Sequence, residues 1–215
     1  MDGTTVDTVD GLREIYRRPS PLAHTKQLDH LDEHCRTFIA HSPFVVVGTA
    51  DGDGNCDVSP KGGPPGFVAV LDERTLAMPD MYGNNRLDSL QNLVANPGIG
   101  MLFLIPGVDE TLRVNGRASI TTAPATLAQA TVAGRVPKAA LQVEVQEAYI
   151  HCAKALRRGS VWQPEEWPDT SDMPSVACML RDHTRIEASA EDVGAYLEDS
   201  YRKTLWEVGG SDKPE

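Results

Sequence analysis

The sequence predicts a mainly β protein with peripheral helices, an α+β chain folded as a small barrel. Three observations point there. Short apolar or β-branched runs recur between residues 44 and 121, tight Asp/Gly and Pro/Gly turns join them, and one amphipathic helix interrupts the series. The 215 residues suffice for one core with helical decoration. A hydrophobic content of 40% and a charged content of 24% exclude disordered and collagen-like classes.

The chain opens with a predicted helix from Thr8 to Tyr16, carrying Val9, Leu12 and Ile15 at helical spacing. Arg17-Arg18-Pro19-Ser20-Pro21 breaks it. A second helix is predicted from Gln27 to Ala40, with Leu28, Leu31, Cys35, Phe38 and Ile39 on one side. It sets His30 and His34 four residues apart, a spacing zinc can use, but two histidines are half a site and a solvated face is the simpler reading.

Phe44 to Thr49 is the first predicted strand, entering a tight hairpin at Asp51-Gly52-Asp53-Gly54. Those aspartates mimic a calcium loop, but Cys56 stands where that loop needs glycine, so the hairpin reading wins. Cys56 to Ser59, Phe67 to Leu71 and Thr75 to Met78 follow as strands. Beyond Asn84, Leu87, Leu90, Leu93 and Val94 form one apolar stripe, so a helix is expected there with Asn84 able to cap it. Asn96-Pro97-Gly98 stops it.

Ile99 to Ile105 is a continuous apolar run, short enough for a fully buried strand. Residues 111–121 alternate and predict another strand, with Gly116 a candidate bulge. Ala125 to Thr131 reads as a weak helix and Ala139 to Val145 as a strand. Ala148 to Arg158 reads as a helix with Ala148, Cys152, Ala155 and Leu156 on one side, and residues 159–173 as a loop. Ala190 to Trp206 is the closing helix, with Val193, Leu197, Tyr201 and Leu205 at helical spacing. With no internal repeat or boundary, residues 1–208 are expected to form a single domain and 209–215 a disordered polar tail.

The formal net charge of -11 argues against a nucleic-acid surface, which needs clustered Lys and Arg. No apolar run is long enough to span a bilayer, and the N-terminus lacks the features of a signal peptide. Cys35, Cys56, Cys152 and Cys178 form no CxxC pair, which leads to an expectation of reduced thiols in the cytoplasm.

Against this acidic background Lys61, Arg86 and Arg113 stand out, on or beside predicted strands or at a helix start. Lys61 follows Ser59-Pro60, and Gly62-Gly63 allow a ligand to approach the backbone. Asn84 and Asn85 can donate amide hydrogens, and Arg86 offers a bidentate fork to phosphate oxygens. The residues themselves leave two readings open: a phosphate site, or a simple N-cap beside a surface arginine. Lys154 and Arg157 or Arg158 share a predicted helical face and form a basic-aromatic group with Trp162, for which a solvated basic face is the plainer reading.

The order S-P-K-G, P-P-G-F, G-N-N-R-L-D-S and N-P resembles the pyridoxamine 5′-phosphate oxidase-related flavoproteins of the FMN-binding split-barrel fold. Within them it is most similar to a subgroup of FMN-dependent enzymes of unknown substrate. The likeness is close from Phe44 to Ala118 and looser from Ile150 to Pro164. It implies a six-stranded antiparallel split barrel and a homodimer with FMN at the interface.

It places Val58, Ser59 and Lys61 on a flavin-facing strand end, and Met78, Pro79 and Asp80 on the next strand. It matches Asn84, Asn85 and Arg86 to the family's Ser-Arg-Lys phosphate turn, with two amides where the oxidases have a hydroxyl and one cation. Lys61 or Arg113 would stabilise negative charge on the ring, and Lys154, Arg157 and Trp162 would line a pocket for substrate or the partner subunit's flavin. The basic C-terminal pattern with which the oxidases hold pyridoxal phosphate is missing, so vitamin B6 oxidation is not implied.

The resulting expectation is an FMN-dependent oxidoreductase acting on a small molecule. Its alternative is a non-catalytic protein that binds or stores flavin, heme or deazaflavin, since fold does not fix function. A metal hydrolase using His30, His34 and His151 is a weaker third reading.

Overall fold

The computed structural model describes residues 5–207. The tail expected over 209–215 lies outside the described residues. Three helices lead in: α1 (Val9–Ile15), α2 (Pro21–Thr25) and α3 (Glu33–His41). Next come β1 (Phe44–Ala50), β2 (Cys56–Gly62), β3 (Ala69–Val70), β4 (Thr75–Pro79), α4 (Asp88–Ala95), β5 (Gly98–Leu104) and β6 (Thr111–Thr121). The chain continues through α5 (Pro124–Gln129), β7 (Ala140–His151), α6 (Lys154–Arg158), a 3₁₀ turn at Pro164–Glu166, α7 (Val176–Thr184) and α8 (Ala190–Thr204).

The strands form one antiparallel sheet in the order β2-β1-β5-β6-β7-β4-β3. This is the mainly β architecture with peripheral helices that the sequence predicts. It holds seven strands rather than six, because the two-residue β3 adds itself beside β4. Pleating sends alternate side chains inward: Val45 and Val47 from β1, Ile99, Met101 and Phe103 from β5, Leu112 and Val114 from β6, and Val143 and Val145 from β7. Leu31, Cys35, Ile39 and Leu93 join this core from the helical side. Each such aliphatic side chain contributes about 1.5–3 kcal/mol on burial.

Several boundaries differ from expectation. The second helix starts at Glu33, capped by Asp32, whose side chain accepts from the Cys35 amide; upstream, Leu28 bridges to Ala148. His30 therefore precedes the helix and is not stacked one turn above His34. Of the strand expected over Phe67 to Leu71 only Ala69–Val70 pairs, although Phe67 and Val68 are buried. β5 is buried on alternate residues only, since Leu102 and Leu104 face outward.

The helix expected from Ala148 is strand as far as His151, because the β6 ladder continues from Thr111↔His151 to Thr121↔Ala140. α7 has no counterpart among the expected elements. By contrast β6 spans residues 111–121 as expected, with its register shift at Asn115/Gly116. A Cβ at Gly116 would run into the Glu144 carbonyl oxygen, so only glycine lets β7 pass this close.

Candidate functional site

β2 lies at one end of the sheet order and β4 near the other, and both line the cavity that lies between them. β2 is an edge strand, so Pro60 costs it no ladder hydrogen bond toward the open side. Its alternation leaves Val58 and Pro60 exposed while Asp57, Ser59 and Lys61 are half-buried on the other face. The cavity has a volume of about 450 Å³, within the range of small-molecule sites.

Its lining contains Val58, Ser59 and Lys61 from β2, Met78, Pro79 and Asp80 from the end of β4, and Asn84 and Asn85 from the following turn. Eight of the sequence-nominated residues thus converge. Asp57, Ser89, Tyr82, Leu141 and Leu205 line it as well.

The turn into α4 is built differently from a capped helix. Asn85 and Leu87 both hold left-handed backbone, with φ of 56° and 60°. The Asn84 Oδ1 atom accepts from the Arg86 amide at 3.1 Å, so Asn84 closes the turn and does not cap the helix. α4 begins at Asp88, and the residue before it, Leu87, offers no side-chain cap. The first-turn residues Asp88, Ser89 and Leu90 line the cavity, which sets an uncapped helix N-terminus against it. Asp57 ties β2 to this end by accepting from Ser89 Oγ at 2.7 Å, and Asn92 donates to Thr49 Oγ1 at 3.1 Å.

Charge at the cavity is mixed. Lys61 faces Asp80, whose carboxyl burial pushes above the ordinary carboxylate value while Lys61 partly opposes the shift. Arg86 does not line the cavity; its Nε donates to Asp88 Oδ2 at 2.8 Å on an exposed surface.

The remaining nominated residues do not line the cavity either. Arg113 donates to Tyr149 Oη at 2.8 Å. Arg157 pairs with Asp109 at 2.7 Å, Trp162 donates from Nε1 to the Val108 carbonyl at 3.0 Å, and Lys154 is exposed. Asp57 was missed although strand alternation through Ser59 and Lys61 points to it. Leu205 carried no local signal, since only the return of α8 delivers it to the cavity.

All four cysteines are free, and burial pushes the Cys35 thiol up to about 12, which keeps it protonated. His30 pairs with Asp29 at 2.9 Å, and among the described residues no three metal-ligating side chains converge. No helix among them is long and apolar enough to cross a membrane.

An antiparallel split barrel with a ligand-sized cavity between strands from its two ends defines the class. The family model described as pyridoxamine 5′-phosphate oxidase matches residues 31–152, which span β1 to β7. The chain belongs to the pyridoxamine 5′-phosphate oxidase family.

Among solved structures it is similar to HupZ from group A Streptococcus, at 20% identity and a TM-score of 0.45, over 55% of this chain and 92% of that one. It is also similar to a protein related to general stress protein 26 from Clostridium acetobutylicum, at 15% identity and 0.43, over 55% and 85%. The heme storage protein HutZ of Vibrio cholerae matches at 13% identity and 0.39, over 56% and 94%. No curated protein matches the chain.

Proposed function

We propose that this protein is an FMN-dependent oxidoreductase acting on a small molecule, working as a homodimer with its cofactor in the cavity between β2 and β4. The observation that carries the reading is the start of α4, which has no side-chain cap and whose first-turn residues Asp88, Ser89 and Leu90 line a cavity that also holds Lys61, Asn84 and Asn85. A helix N-terminus with such neighbours suits a phosphate monoester.

The fit extends to the rest of the cofactor. Met78, Pro79, Leu90 and Leu141 give the cavity an apolar wall for a flat ring, while Ser59, Lys61 and Asp80 supply polar contacts. FMN would supply the redox chemistry, and the chain would bind, orient and tune it. Lys61 keeps a cation at the cavity wall, and Asp80, raised by burial, is easier to hold neutral there. Arg86 would reach the phosphate by leaving Asp88. Arg113 does not line the cavity of its own chain, so a role at the cofactor would need the second subunit.

The test is to load the purified chain with FMN, add NADPH or NADH without oxygen, and follow flavin absorbance. Bleaching that reverses on admitting air is the expected result. Bound flavin that no nicotinamide bleaches would favour the storage reading, and failure to bind flavin would overturn the proposal.

A further inference from the structure

A second group of polar side chains lies on the outer face of the sheet, and none of its members lines the cavity. In cross-strand register Pro60 faces Val46, Val46 faces Leu102, Leu102 faces Arg113 and Arg113 faces Tyr149. Three strand spacings separate Arg113 from the β2 wall of the cavity, or roughly 14 Å.

Around Arg113 two cations share one ring. Its guanidinium lies 5.4 Å from the Tyr149 ring centroid and bonds the phenol oxygen at 2.8 Å. The Lys26 ammonium lies 5.3 Å from the same centroid and donates to the Ile150 carbonyl at 2.7 Å. His151 follows on β7, paired in register with buried Thr111.

All four side chains are half-buried, and among the described residues no carboxylate pairs with either cation. The nearest acid along that face of β7, Glu147, is occupied by the side-chain amides of Gln27 and Asn115. Burial, then Arg113 and Lys26, pull the His151 ring below its ordinary value, which registers the same excess of positive charge.

Like charges held together, partly desolvated and without a counter-ion, are costly in a chain of net charge -11, and an arriving anion relieves that cost. The carbonyl and phenol bonds fix both cations in place, while the remaining N–H groups of the ammonium and guanidinium keep donor capacity. We propose that Lys26, Arg113, Tyr149 and His151 form a binding site for an oxyanion group, the carboxylate or phosphate of a small acidic molecule. The site stands whether or not FMN occupies the cavity.

The test titrates sulfate, as the tetrahedral probe, and malonate, as the carboxylate probe, into the full chain without added flavin. The His151 ring proton signals are followed by NMR and assigned with His151→Gln. Saturable shifts and a rise in the His151 pKa are expected with at least one probe, and the responding probe assigns the class. Arg113→Gln and Lys26→Gln should each weaken binding by about tenfold or more and raise the His151 pKa in the absence of ligand. A repeat with FMN present separates this site from the cavity. No saturable shift with either probe, or wild-type affinity in both variants with their melting temperatures unchanged, would overturn the proposal.

Discussion

At the level of single residues, the exposed Arg86–Asp88 pair is a competition the cofactor phosphate would have to win. Arg86→Ala should weaken FMN binding by about 1.5–3 kcal/mol, the loss of one charge-assisted hydrogen bond, with little change in the melting temperature of the flavin-free chain. Asp88→Asn should act in the opposite direction, since it frees the guanidinium and removes a negative charge from the cavity mouth. Parallel FMN titrations of the two variants check both signs.

Asp80 supports a pH prediction. Its folded-state pKa is raised by burial, so its ionisation penalises the fold. Stability is unaffected below the ordinary carboxylate pKa and falls as pH rises from there through the raised folded value. Asp80→Asn should therefore gain melting temperature over wild type at neutral pH and lose that gain at acid pH. A melting series across pH measures the difference.

Among the elements, β6 was legible in the sequence and β7 only in part. Residues 111–121 alternate cleanly around Gly116, and the bulge falls at that glycine. Gly116→Ala should cost about 1–3 kcal/mol in chemical denaturation, because the obstructing atom is a backbone carbonyl that cannot swing away. The end of β7 misleads because Ala148, Cys152, Ala155 and Leu156 fall at helical spacing, while the β6 partner strand that holds residues 148–151 extended is distant in sequence. The start of α4 misleads for a similar reason. Asn84 has a capping side chain, but the left-handed Asn85 and Leu87 postpone the helix, and no residue pattern announces that geometry. The candidate site was more legible than either boundary, since Ser59, Lys61, Asp80 and Asn84 lie close in sequence to the turns that gather them.

Across the molecule as a whole, the C-terminal helices return to the barrel at the cavity. Leu205 lines it, and the Tyr82 amide donates to the Glu207 carbonyl at 2.9 Å. That long-range contact is invisible to local pattern, whereas the barrel's hydrophobic rhythm is not. Net charge of -11 and the cation cluster at Arg113 are compatible because binding depends on local arrangement and not on the total.

Occupation of the cavity between β2 and β4 by FMN is decided by a fluorescence titration of the flavin. The wild-type chain is compared with Ser59→Trp, which fills the cavity from the half-buried face of β2. Saturable quenching at one FMN per chain is expected for the wild type and none for Ser59→Trp, with both proteins folded by circular dichroism. Unquenched flavin in the wild type, or equal quenching in the two, would refute a flavin in that cavity.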